Sequence, residues 1–255
     1  MYYKYRAFNS RYSEELFSKN SIYFAGSKDL NDPFELSPFF KPPKDVHERI
    51  AFADYMLIKH FPHLKRKERI RQRGQFVKEL LDKDFLRDTM KITYEDTIGI
   101  YSSTKIKDNL LMWSYYAEAH SGFCVGYDLD SLPGNVFKAP HPVDYSDTYP
   151  VITTNEWMSE VEEVLIEGFK KIALVKSNSW LHEQEIRFIR NLSEGGIGPY
   201  LLKTGTMKEV ILGAKISDDN RELILNWISK YQAHVKIFNA KLHESSYELV
   251  FEELN

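Results

Sequence analysis

The stretch Leu110–Asp128, LLMWSYYAEAHSGFCVGYD, constrains the fold more than any other part of the chain. A helical run dense in aromatics stops at Ser121-Gly122, and an apolar run follows at once. Glycine admits backbone conformations that other residues avoid, so this dipeptide marks a sharp break. The pattern predicts a short helix turning into a buried strand. It places Trp113, Ser114, Tyr115, Tyr116 and His120 close together just before that strand. The single cysteine, Cys124, lies inside the apolar run Phe123–Val125. A thiol there is predicted to be buried and inert, and one cysteine excludes an internal disulfide framework.

The rest of the chain reads as strands and helices without regular alternation. Residues 2–8 alternate as a strand, and Ser13 is expected to cap a short helix through Lys19, with Glu14 and Glu15 in its first turn. Ile22–Ala25 reads as a second strand, and Asn31-Asp32-Pro33 as a turn. Two amphipathic helices are predicted at 45–61 and 66–88. Ile50, Ala53, Leu57 and Phe61 line one face of the first, and Phe76, Val77, Leu80, Leu81 and Phe85 line a face of the second. Ile98–Ser102 resumes strand character, and Asp108 is positioned to cap the helix that carries Trp113. Thr153 and Glu156 have capping-box spacing and open a helix through about Val175, with Trp157, Val161, Val164, Leu165, Phe169 and Ile172 inward. Glu185–Arg190 and Glu209–Leu212 read as strands, and Ser217 caps a helix to Tyr231. Val235–Ala240 and Ser246–Phe251 are expected to pair as a hairpin. The irregular order favours α+β over a doubly wound architecture. We expect one α+β domain spanning 1–255, a single mixed or mainly antiparallel sheet with a helical insertion at about 42–92.

Composition narrows the function classes. Of 255 residues, 43% are apolar and 14% aromatic, enough for a sizeable core. Lys+Arg at 34 against Asp+Glu at 37 gives a net charge of −3, which argues against a surface devoted wholly to nucleic acid. A local basic run, from Lys59 through Lys65, Arg66, Lys67, Arg69, Arg71 and Arg73 to Lys78, is compatible with phosphate contacts or with a solvated helix face. No apolar stretch approaches the ~20 residues of a membrane span, and the N-terminus lacks a signal-peptide core. The expectation is a cytoplasmic protein with no membrane partner.

Several constellations carry candidate chemistry. Glu183-Gln184-Glu185 puts two carboxylates on one face if the segment is extended, where they repel and one pKa should rise unless a cation or hydroxyl compensates. Trp180 and His182 lie just upstream. Tyr101-Ser102-Ser103-Thr104 ends a strand with three hydroxyls. Arg6, on an early strand, needs an anionic partner if buried, such as Glu35, Glu185 or a ligand. Tyr116 and His120 are spaced as i, i+4 neighbours on one helix face. Asn31, Asp32 and Glu35 share one loop, and Lys176, Glu183, Glu185 and Arg187 come from one later segment. Together these residues make either a mixed-charge pocket with aromatic walls, in the manner of a nucleotide site, or a buried ion-pair network that fixes the fold.

The order Arg6, then Ser102-Ser103-Thr104, then Glu183-x-Glu185 resembles the Arg–Ser–Glu pattern of ADP-ribosyltransferases. That resemblance implies NAD as substrate, with Arg6 on a phosphate or ribose and Ser102 bracing the site. It implies that Glu185 holds the nicotinamide ribose and stabilises its oxocarbenium character, while Glu183 orients the acceptor. The middle element here is Ser-Ser-Thr, and the helical block has no counterpart. More extensively, YKYRAF, NDPFE at Asn31–Glu35, MWSYYAEAHSGFCVGYD and the K-x-x-x-W-x-x-E-x-E-x-R of Lys176–Arg187 resemble a large bacterial family described only as a domain of unknown function. The four blocks run in order across nearly the whole chain. Tyr115 stands where that family commonly has His, and His120 matches. The resemblance implies a bacterial cytoplasmic protein, often encoded near mobile or defence genes, and supplies no reaction.

The leading expectation is therefore an ADP-ribosyltransferase-like, NAD-using effector in phage defence or a toxin role, with a protein or nucleic-acid acceptor. The alternatives are a non-catalytic nucleotide-sensing or partner-binding module, and a metal-dependent nuclease recruiting Asp32, Glu35, Glu183 and Glu185. Catalytic assignments fall on Glu185, Glu183 and Arg6. Ligand-binding assignments fall on Ser102, Ser103, Trp113, Tyr116, His120, Asn31, Asp32, Glu35, Lys176, Trp180 and Arg187. Structural zinc is not expected, because Cys/His ligands do not cluster. No phosphate loop, dinucleotide fingerprint or nucleophile elbow is present.

Overall fold

The computed structural model describes residues 1–94, 97–130, 132 and 139–254. In chain order its elements are β1 (Tyr2–Arg6), α1 (Ser10–Lys19), β2 (Ser21–Phe24), β3 (Phe39–Lys41), α2 (Val46–His60), α3 (Arg66–Glu79), α4 (Lys83–Tyr94), β4 (Gly99–Thr104), α5 (Leu110–Tyr116), β5 (Phe123–Tyr127), β6 (His141–Pro142), β7 (Asp144–Ser146), β8 (Val151–Thr153), α6 (Thr154–Trp157), α7 (Glu162–Ala173), β9 (Val175–Ser177), β10 (Glu185–Arg190), β11 (Gly198–Leu201), β12 (Met207–Leu212), α8 (Asp218–Tyr231), β13 (Lys236–Leu242) and β14 (Leu249–Leu254). The fold is α+β. It forms two compact units, Met1–Ala25 with Ile98–Val143 and Ser179–Asn255, and Gly26–Thr97 with Asp144–Asn178.

Among the described residues, the first unit is built on an eight-stranded sheet of order β14-β13-β12-β5-β1-β4-β10-β6. Its pairs are antiparallel except β12–β13, where α8 makes the crossover that a parallel pair requires. β13 and β14 form the expected final hairpin, from Ile237↔Leu254 to Leu242↔Leu249. Strand side chains alternate between faces, so register decides which residues meet. On one face Tyr2, Tyr101, Phe123, Val125, Tyr127, Phe188, Val210 and Leu212 pack with Phe17 of α1 and Ile224 and Ile228 of α8. On the other, Tyr3, Tyr5, Cys124 and Ile211 pack with Trp113 and Ala117. Cys124 is fully buried, and burial pushes its thiol pKa well up, which keeps it protonated.

Helix starts are set by side chains that the sequence reading placed slightly wrongly. Asn9, not Ser13, caps α1: its side chain accepts from the Tyr12 amide at 3.1 Å, while Ser13 Oγ accepts from the Asn9 amide at 3.1 Å. This moves Glu14 and Glu15 out of the first turn. Asn109, not Asp108, caps α5, accepting from Leu111 N at 3.0 Å and Met112 N at 3.2 Å. Ser217 caps α8 as expected.

In the second unit, Asp45 caps α2, which buries Phe52, Ala53, Met56 and Leu57; Phe61 is exposed. The expected 66–88 helix is two helices. Asp82 accepts from the Asp84 amide at 2.9 Å and starts α4 anew. α3 buries no residue. The Thr153–Glu156 capping box is present, but the helix it opens ends at Trp157 and α7 begins afresh at Glu162. Of the inward residues expected there, Ile172 is buried while Val161 and Leu165 are exposed. Two parallel pairs, β3–β8 and β7–β9, complete this unit. Among the described residues no helix is long and apolar enough to cross a membrane.

Candidate functional site

The aromatic block of α5 folds into a tight turn on the α5 face of the first unit. Trp113 is fully buried, its Nε1 donates to the Lys107 carbonyl at 2.9 Å, and its ring meets Tyr5 edge-on at 5.2 Å. α5 stops at Tyr116, so Tyr116 and His120 are not helical i, i+4 neighbours. Instead Glu118, Ala119 and His120 all take left-handed backbone angles (φ 50°, 50° and 73°). Such a conformation costs a non-glycine residue roughly 1–2 kcal/mol, so the surrounding structure must over-determine the turn. Ala119 N bonds back to the Ser114 carbonyl at 3.1 Å, and Gly122 N to the Ala117 carbonyl at 2.8 Å. A side chain at Gly122 would meet the Arg6 carbonyl at 2.1 Å, which explains the glycine.

The turn lays His120 on Trp113, with ring centroids 6.1 Å apart and planes at 14°, and brings its Nε2 to 3.4 Å from Ser114 Oγ. Burial first and the Lys215 charge second lower the His120 pKa, so the imidazole is neutral at pH 7.

The two glutamates do not share an extended segment. Glu183 ends a 3-10 turn, closed by Gln184 N on the Leu181 carbonyl at 3.2 Å, and Gln184 takes φ 44°. Glu183 accepts from the Tyr116 hydroxyl, whereas Glu185 opens β10 and pairs with Arg187. That pair is bidentate, Nε–Oε1 at 2.8 Å and Nη2–Oε2 at 3.0 Å, with side chains 0% and 5% exposed. Ser102 lies opposite Arg187 across β4–β10, on the same face. Ser103 points the other way and donates to the Ile186 carbonyl at 3.0 Å. Trp180 lies 6.1 Å from the His182 ring.

Arg6 does not join this group. It lies opposite Phe123 on β5, on the α1/α8 face, while Glu185 faces the α5 side. The expected pairing of Arg6 with Glu35 or Glu185 is absent: Arg187 takes Glu185, and Lys176 takes Glu35 at 3.2 Å. The guanidinium, hydroxyl and carboxylate that the transferase pattern needs in one cleft are divided between opposite faces of one sheet.

The second unit gathers Asp32, Glu35 and Lys176 from distant segments. Asp32 Oδ1 accepts from Phe34 N at 2.9 Å and its carbonyl from Glu35 N at 3.1 Å, closing the turn that Pro33 favours. Beside the buried Glu35–Lys176 pair is a cavity of about 230 Å³, lined also by Phe34, Ser146–Pro150, Val175 and Ser177. Phe34 and Tyr149 meet edge-on at 6.0 Å, and the Tyr149 hydroxyl donates to the Ser37 carbonyl. Asn31 is exposed and outside this lining. Sequence reasoning missed Ser146–Pro150, because a loop of small polar residues carries no periodic signal. Among the described residues no group of three or more His, Cys, Asp or Glu side chains is arranged to hold a metal ion, so the geometry lends the nuclease reading no support.

Residues 112–188 match a family described as Protein of unknown function (DUF2971). The DUF2971 segment runs from within α5 into β10. It contains Trp113, Tyr116, His120, Lys176, Trp180, Glu183, Glu185 and Arg187, and excludes Arg6, Asn31–Glu35 and Ser102. No curated protein and no solved structure matches the chain.

Proposed function

We propose that this protein is a non-catalytic ligand-binding module whose second unit takes a single nucleoside or similarly sized hydroxyl-bearing ring. The supporting observation is the cavity beside the Glu35–Lys176 pair, where charged, hydroxyl and aromatic side chains from three segments converge. Its volume of about 230 Å³ falls below the ~300–1,000 Å³ of pockets for drug-sized ligands, which favours one nucleoside over a dinucleotide. Asp32, Glu35 and Asp147 against Lys176 leave the lining negative, which disfavours a phosphate and suits sugar hydroxyls, donors to carboxylate oxygen. The exposed Phe34 and Tyr149 rings supply a face for a base.

The test is thermal unfolding of the full chain with adenosine, guanosine, cytidine, uridine and NAD, together with an assay for nicotinamide release. A ligand at a hundred times its Kd should add about 2.7 kcal/mol of stability, with no turnover. Phe34→Ala with Tyr149→Ala should remove that shift while leaving the unliganded midpoint nearly unchanged. Nicotinamide release, or equal shifts in wild type and the double variant, would overturn the reading.

A further inference from the structure

The α1/α8 face of the large sheet holds a second polar centre, with surplus hydrogen-bond donors. Tyr101 of β4 and Tyr127 of β5 flank β1, their rings 6.4 Å apart at 81°. Both side chains are essentially buried, at 1% and 0% exposure, and neither hydroxyl completes a hydrogen bond. Arg6, on the same face of the intervening strand, lies close enough to offset the effect of burial on both hydroxyls. Its Nε is buried with no acceptor, and among the described residues Arg6 forms no ion pair. Lys4, one position along that face, brings its ammonium 5.6 Å from the Tyr101 ring centroid.

Other buried arginines of this unit are provided for. Arg187 has Glu185. Arg190 donates to the carbonyls of Gly195, Gly196 and Gly198 at 2.7–3.3 Å. Burial raises the Tyr127 pKa to about 12 and that of Tyr101 as well, so both hydroxyls keep their protons at neutral pH and act as donors. One buried N–H and two buried O–H groups thus converge beside a partly exposed guanidinium, with no well-formed hydrogen bond completed by the Nε or by either hydroxyl. Orphaned buried polar groups call for a specific explanation such as a water or an ion. Water supplies acceptors but no charge, whereas an oxyanion supplies both.

We propose that Arg6, Tyr101 and Tyr127 form a binding site for a small oxyanion, a phosphate or carboxylate group, on the face of the sheet opposite Glu185 and Arg187. The partial exposure of Arg6 gives the anion its route from solvent. The site lies in the first unit and does not depend on the nucleoside pocket.

The experiment is a titration of the full chain with inorganic phosphate, adenosine monophosphate and acetate against chloride at matched ionic strength. It is followed by calorimetry and by the Nε–H resonance of Arg6 in nitrogen–proton correlation spectra. Saturable binding of phosphate or acetate that moves this resonance is expected, and the comparison with adenosine monophosphate separates a free anion from a phosphate ester. Arg6→Met should weaken binding at least tenfold, and Tyr101→Phe or Tyr127→Phe severalfold. Arg6→Lys, which keeps the charge, should retain part of it and guards against loss through misfolding. An Arg6 resonance that no anion moves, meaning water alone fills the site, would overturn the proposal. So would binding that Arg6→Met leaves intact.

Discussion

Glu185→Ala gives the sharpest test of whether the Glu-x-Glu segment is structural. The carboxylate meets the Arg187 guanidinium through two charge-assisted bonds, 2.8 and 3.0 Å, with side-chain exposures of 5% and 0%. An exposed pair of this kind is worth about 0–1 kcal/mol. Removing one partner of a buried pair costs about 3–5 kcal/mol, because the remaining charge keeps its desolvation penalty and loses its attraction. Since native stabilities span roughly 5–15 kcal/mol, the loss takes a large share of the total. Urea unfolding followed by tryptophan fluorescence measures it. Glu185→Ala should lower stability by about 3–5 kcal/mol, and Glu185→Leu combined with Arg187→Met should recover most of that, since an apolar replacement of both partners is often neutral. A cost for Glu185→Ala below about 1 kcal/mol would refute the reasoning, because it would mean that the pair is solvated. The same series decides how a loss of function at Glu185 is read: a loss that the double replacement restores is a folding effect.

Other perturbations test separate parts of the argument. Trp113→Ala, at a fully buried ring against Tyr5 and His120, should cost about 3–5 kcal/mol in the same urea assay. Asn109→Ala removes the α5 cap and a bond to the His182 carbonyl, and should cost about 0.5–2 kcal/mol by thermal unfolding. His120 has a folded pKa below its unfolded value, so its contribution to stability is complete above about pH 6.5 and is lost as pH falls through the folded pKa. Proton NMR of the imidazole should give a midpoint below 6.5, and His120→Gln should flatten the stability profile in that range. Gly122→Ala should prevent the native pairing of β5 with β1, because its Cβ would fall 2.1 Å from the Arg6 carbonyl; wild-type amide-exchange protection across that pair would contradict this.

What was legible in the sequence is what local chemistry decides. The strand at Glu185–Arg190 shows in its alternation, α8 in the Ser217 cap, and the turn at Asp32 in its proline. Caps were misplaced where two polar residues compete: Asn9 with Ser13, and Asp108 with Asn109, differ in reach rather than type. The left-handed run at Glu118–His120 carried no clear signal, since Glu and Ala disfavour that conformation and His only tolerates it; packing on Trp113 and the backbone bonds impose it. The convergence of Asn31–Glu35 with Lys176 was suggested by their polarity, but the loop completing the cavity, Ser146–Pro150, has no feature that separates it from any surface loop.

The division of the charged residues between two faces follows from parity. In β1 the even-numbered residues Tyr2, Lys4 and Arg6 pair with odd-numbered Tyr127, Val125 and Phe123 of β5, and so share one face. Thr104 lies opposite Tyr3 of β1 and Glu185 of β10, while Ser102 lies opposite Arg187; all of these occupy the other face. Bringing Arg6 beside Glu185 would need a one-residue slip of β1. That slip would also carry Tyr2 out of the α1/α8 core and Tyr3 and Tyr5 away from Trp113. The register is therefore held by three buried tyrosines, and the order of residues along the chain, which is blind to parity, cannot distinguish one shared cleft from two separate polar centres. A buried Arg6 Nε without a partner on one face and a buried Glu185–Arg187 ion pair on the other are what binding at Arg6 and stability at Glu185 each require.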